Sequence, residues 1–167
     1  MKDKYKHLLN FAANIISLTV EAAMFGWVWY MLYVPMLDKA NALFRRGNWA
    51  VIGMYALFVF FFTKVFGGYR IGYMRISDII LSQILAVILA MIVAYFEICL
   101  VANDYLPPQP LLLMTVTEII FIVPWVILVR KAYTRLYPPR QMLVIYGNYS
   151  PDDLIGKINT RKDKYNI

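Results

Sequence analysis

Cysteine and histidine occur once each, as Cys99 and His7. A single cysteine excludes an intrachain disulfide, and one thiol beside one imidazole is too few for a zinc site built from the usual nitrogen and sulfur ligands. Charge is scarce as well: only 16% of the 167 residues are Asp, Glu, Lys or Arg, where a soluble domain carries about 25%. Hydrophobic residues make up 61%, against about 45–50% in a soluble domain. So little polar surface cannot cover a globule, and the chain belongs in a membrane. Acidic residues are the scarcer sign, 10 against 17 Lys plus Arg, which leaves a net charge of +7. Basic residues beside membrane spans set topology without binding anything, so this excess gives no expectation of a nucleic-acid partner.

Four apolar runs approach or exceed the roughly 20 residues that cross a bilayer core: about 8–34, 49–66, 76–101 and 111–129. The first far exceeds the roughly 7–15 residues of a signal-peptide core and no small-residue cleavage site follows it, so it is expected to remain as an anchor. Lys2, Lys4 and Lys6, then Lys64, Arg70 and Arg75, then Arg130, Lys131, Arg135 and Arg140 fall on one side of these runs. Lys39, Arg45 and Arg46 fall on the other. The imbalance predicts cytoplasmic N- and C-termini. Trp27, Trp29, Tyr30, Tyr33, Trp49 and Tyr105 gather towards the outer ends, as interfacial aromatic belts do. Short loops favour an up-down arrangement. The expected class is an all-α membrane protein, an antiparallel four-transmembrane-helix bundle over residues 1–131.

Helices associate in lipid where small residues let backbones approach. Ser82, Ala86, Ala90 and Ala94 form the clearest such face; Ala22 with Gly26, and Gly53, offer shorter ones. Pro124 is expected to bend the fourth span rather than end it, because apolar residues continue on both sides. Glu21, Gln83, Glu97 and Glu118 are polar side chains inside the spans, where an ionised carboxylate costs on the order of 2.5–3.5 kcal/mol. Asn14, Ser17 and Glu21 share one helical stripe, as do Thr115 and Glu118. These stripes are expected to face each other inside the bundle. No Lys or Arg lies at matching depth, so Glu21 and Glu118 are expected to be protonated and hydrogen-bonded to neutral partners. Their roles divide between helix–helix contact and a proton or substrate path.

A basic, proline-containing linker is expected over 132–140, followed by a water-soluble pattern over 141–167. Met142 to Tyr146 reads as a short buried strand closed by Gly147. Ser150, Pro151, Asp152 and Asp153 make a strong helix start, since each caps or complements the unpaired amides of a first turn. Leu154, Ile155 and Ile158 give that helix an apolar face, and Tyr165 to Ile167 has the makings of a second strand. This cytoplasmic strand–turn–helix is an incomplete α/β domain, expected to be truncated. A dinucleotide site is disfavoured, because Gly147 stands without the glycines that admit a pyrophosphate and the two aspartates would repel one.

Gly67-Gly68-Tyr69-Arg70-Ile71-Gly72 leading into Arg75-Ile76-Ser77-Asp78 are, with the four spans, the first part of a wider likeness. Met142 to Gly147, Asp152 to Ile155 and Lys157 to Arg161 are the second. Together they resemble bacterial polyprenyl glycosylphosphotransferases, the sugar transferases or large monotopic phosphoglycosyl transferases. The likeness covers essentially the whole chain and lies in the family's non-catalytic N-terminal part, up to the start of a Rossmann-like domain. It implies a multi-pass protein of the bacterial inner (plasma) membrane. The complete enzyme would transfer a phospho-sugar from a nucleotide sugar to polyprenyl phosphate in exopolysaccharide or capsule synthesis. The family's catalytic Asp-Glu pair and re-entrant helix have no counterpart here, so no catalytic residue is assigned, no cofactor or metal is expected, and this chain alone is expected to be inactive. Arg70, Arg75, Arg130, Lys131 and Arg135 are candidates to hold a lipid phosphate or a separate catalytic domain, or else act as positive-inside anchors in bulk lipid. The alternatives are a small four-span helper that flips or delivers lipid-linked sugars, and a membrane scaffold for polysaccharide enzymes.

Overall fold

A computed structural model describes residues 2–37, 45–70, 74–136, 140–141 and 165–166. Helix α1 spans Lys2–Val28, continues through a π-helical turn at Trp29–Tyr33 and closes in a short 3-10 turn at Val34–Met36. Helices α2 (Arg45–Val65), α3 (Ile76–Ala102) and α4 (Gln109–Leu136) follow. Each carries a segment long and apolar enough to cross a membrane: Leu8–Met36, Gly47–Val65, Ile76–Ala102 and Gln109–Leu136. At 1.5 Å per residue a helix of 27 residues rises about 40 Å. That exceeds the roughly 30 Å of a bilayer's hydrocarbon core.

The helix ends follow from local chemistry. Gly67 takes φ +77° after α2, a left-handed conformation that costs glycine nothing. Gly68 N–H then donates to Thr63 O at 2.9 Å and Gly67 N–H to Lys64 O at 3.2 Å, the paired bonds of a Schellman end. Asn103 closes α3 in the left-handed region with φ 53°, its N–H reaching Leu100 O at 3.3 Å. Helix α4 passes through Pro124 without ending, as expected, and runs on through Arg130, Lys131 and Arg135 to Leu136. The apolar pattern ends near 129, but the basic residues after it are good helix formers and no breaker precedes Pro138.

Helix α1 packs on α2 and α4, and α3 packs on α2 and α4, so the four stand in a ring in chain order. Long-range bonds fix their directions. Asn10, early in α1, reaches Tyr69 O after α2, whereas Tyr33, late in α1, donates to Pro107 O before α4. The bundle is therefore up-down; its near end holds the start of α1 and the α2–α3 turn, and its far end the α1–α2 and α3–α4 connections.

Phe25, Trp29, Tyr33, Tyr55, Ala90, Ala94, Ile98 and Leu111 fill the core of the far half, and Ile79, Val87, Ile122 and Val126 that of the near half. Ser82, Ala86, Ala90 and Ala94 are all buried. Gly26 also lies at a contact, against Ile52 of α2. Two expectations need correcting. Trp29 and Tyr33 are not interfacial anchors but fully buried: Trp29 lies four residues after Phe25 on the inward stripe of Ser17 and Glu21, and the π-turn that starts there keeps Tyr33 inward. Gly53 marks no contact within the bundle, for a Cβ there would meet nothing within 4 Å.

Past α4, strand β1 (Arg140–Gln141) pairs in parallel with β2 (Tyr165–Asn166), Arg140 opposite Tyr165 and Gln141 opposite Asn166. The expected strand at Met142 to Tyr146 and the helix start at Ser150 to Asp153 lie outside the described residues.

Candidate functional site

Spacing puts Asn10, Asn14, Ser17 and Glu21 on one stripe of α1, and the ring of helices turns that stripe inward. Asn10 Nδ2 donates to Tyr69 O at 2.8 Å and Asn14 Nδ2 to the same oxygen at 3.3 Å. Gln83, reaching in from α3, donates through Nε2 to Gly68 O at 3.3 Å. Three amides from two helices thus clamp the two carbonyls that follow the Schellman end. Tyr69 sits in this turn, outside the spans. Its hydroxyl is pushed up to about 12, chiefly by burial and further by the Glu21 carboxyl, while a hydrogen bond with Thr63 acts the other way.

Deeper in the bundle, Ser17 Oγ donates to Glu21 Oε1 at 3.0 Å, and the Tyr55 hydroxyl lies 2.9 Å from both carboxyl oxygens of Glu118. Phe25 stacks flat on the Tyr55 ring at 4.2 Å and holds it in place. Glu21 and Glu118 are both buried, and each acid has a neutral donor, as expected. Helices α1 and α4 are neighbours, yet neither acid is the other's hydrogen-bond partner. Thr115, expected beside Glu118, turns its hydroxyl back to Leu111 O of its own helix at 2.8 Å. Glu97 is half-buried near the far end of α3, and its Oε2 has no partner.

Tyr55, Asn10 and Thr63 were not singled out by the sequence. A signal existed for Asn10, four residues before Asn14 on the same stripe; Tyr55 in an apolar run had none, because a buried tyrosine and an interfacial one look alike until packing separates them.

The basic candidates divide. Arg70, Arg75, Lys131 and Arg135 are exposed at the near end, whereas Arg130 is buried and engaged. Lys131 and Arg135, one turn apart, flank an open pocket of about 520 Å³ with Ala132 and Thr134. At the far half a second, almost wholly apolar groove of about 700 Å³ runs between α1 and α4, lined by Val20, Met24, Trp27, Leu113, Met114 and Thr117. Among the described residues no group of three or more His, Cys, Asp or Glu side chains is placed to hold a metal ion.

Four helices long and apolar enough to span a membrane, packed on a mainly apolar core with a few buried polar side chains, fit a multi-pass α-helical membrane protein. No family model matches the chain, and neither the curated proteins nor the solved structures contain a match to it.

Proposed function

We propose that the chain is the membrane-anchoring part of a polyprenyl glycosylphosphotransferase, a sugar transferase that moves a phospho-sugar from a nucleotide sugar to polyprenyl phosphate for exopolysaccharide or capsule synthesis. The observation that carries this reading is the parallel pairing of Arg140–Gln141 with Tyr165–Asn166 directly after α4. Parallel neighbours need a crossover of about a dozen residues or more, so this pairing after the fourth span is consistent with the start of an α/β unit. The turn and tail motifs that resemble this family support it independently. Exposed Arg70, Arg75, Lys131 and Arg135 lie at the same end, which the positive-inside rule makes the cytoplasmic one in the bacterial inner membrane. There the Lys131–Arg135 pocket suits an anionic head group such as that of polyprenyl phosphate, or a catalytic region docked on the rim. In this reading the bundle positions and anchors, and supplies no catalytic group.

The test is to delete the gene and restore it in its own cells. Membranes given labelled nucleotide sugars and polyprenyl phosphate should lose formation of lipid-linked phospho-sugar on deletion and regain it on restoration. Unchanged formation removes the reading. The α1–α4 groove and the buried acids favour a second one, a helper that moves lipid-linked sugars across the membrane; it predicts unchanged formation with impaired translocation.

A further inference from the structure

The amide clamp at the near end leaves a residue of unmet chemistry. Each of Asn10, Asn14 and Gln83 must present its NH2 group to a backbone carbonyl, since turning the amide over would set oxygen against oxygen. Their orientation is therefore fixed, and Asn10 Oδ1, Asn14 Oδ1 and Gln83 Oε1 are directed elsewhere. All three oxygens are buried and have no hydrogen-bond partner. Gln83 is only 3% exposed, so bulk solvent does not serve its oxygen. Nitrogen and oxygen of one amide lie about 2.3 Å apart by bond geometry, so both asparagine oxygens lie within about 6 Å of Tyr69 O. Gln83 Oε1 lies likewise within about 6 Å of Gly68 O, which has one lone pair left, whereas Tyr69 O already accepts from two amides; four oxygen acceptors from α1, α3 and the turn thus border the same turn.

Buried acceptors without donors are rare and call for a guest. A water molecule has two protons and serves at most two of the three orphan oxygens. A cation draws several oxygens to itself at once, as hard ions do with carbonyl ligands. A divalent ion would want several carboxylates, which the described residues do not gather. We propose that the side-chain oxygens of Asn10, Asn14 and Gln83, with the carbonyl of Gly68, form a binding site for a small monovalent cation of sodium size that locks α1 and α3 onto the α2–α3 turn.

The full chain in nanodiscs of neutral lipid tests this with sodium alone as the probe. Radioactive sodium should bind saturably, and the unfolding midpoint followed by tryptophan fluorescence should rise by about 2–4 °C in sodium chloride over choline chloride at equal ionic strength. Gln83→Leu and, at the rim, Asn10→Leu should each weaken sodium binding by about tenfold or more while still giving a cooperative transition in choline. Absence of saturable sodium binding by the wild type overturns the proposal and leaves water as the donor to these oxygens. So does undiminished binding by either variant that folds, and the wild-type measurement decides the matter if neither does.

Discussion

Gly68 is constrained by space. A Cβ on it would come within 2.9 Å of Thr63 Cγ2 and 3.0 Å of Gln83 Cγ, both inside the clamp described above. Gly68→Ala must therefore push apart α2 and α3, and overpacking of this kind costs about 1–3 kcal/mol. Gly53→Ala is the control, since open space surrounds that position and alanine is the better helix former. Thermal unfolding in nanodiscs should show a lowered midpoint for the first and no loss for the second. An equal response would mean that Gly68 is not packed as described. The two glycines look alike in the sequence, one beside a turn signal and one inside an apolar run, and only the neighbouring helices distinguish them. For the same reason Glu21, Gln83 and Glu118 were recognisable by their cost in lipid, whereas Tyr55, which satisfies Glu118, was not.

Among the elements, α3 was the most legible because its small residues repeat every four positions and that period has one reading in a membrane bundle. The structure buries Ala90 completely and leaves Leu100 82% exposed. Ala90→Leu should destabilise by about 1–3 kcal/mol, whereas Leu100→Ala, facing lipid, should change the unfolding midpoint by less than about 0.5 kcal/mol equivalent. A harmless Ala90→Leu would refute close approach along this face. Helix α1 was less legible. A period of 3.6 separates exposed Trp27 from Trp29, which enters the core four residues after Phe25 and bonds Asn48 Oδ1 at 3.2 Å, but the π-turn at Trp29–Tyr33 shifts the count for Tyr33, at its end. Helix ends were set by capping and basic residues that carry no hydrophobic signal, which is why α4 outlasts its apolar run.

For the whole molecule, up-down order and basic-residue bias make a joint prediction about sidedness. In a Cys99→Ser background, a membrane-impermeant maleimide applied to intact cells should label Tyr105→Cys, which replaces a residue 90% exposed at the far end. Arg70→Cys and Arg135→Cys should react only once the membrane is opened. Labelling of all three from one side would break the bundle's order, and a reversed pattern would place the near end outside. The number of crossings was evident from composition alone, because 18 or more apolar residues have few other uses. The interior was not, since which polar groups meet depends on how four helices rotate against one another, and each stripe by itself is compatible with several neighbours.

The six residues from Lys131 to Leu136 prolong α4 beyond the apolar run that ends near 129. At 1.5 Å each they form a rod about 9 Å long, stiff because its backbone bonds are internal. The end of α4 at Leu136 thus stands off from its apolar run by a length comparable to the thickness of a head-group layer. Tilt of α4 within the membrane is transmitted along that lever as sideways displacement of its end at Leu136.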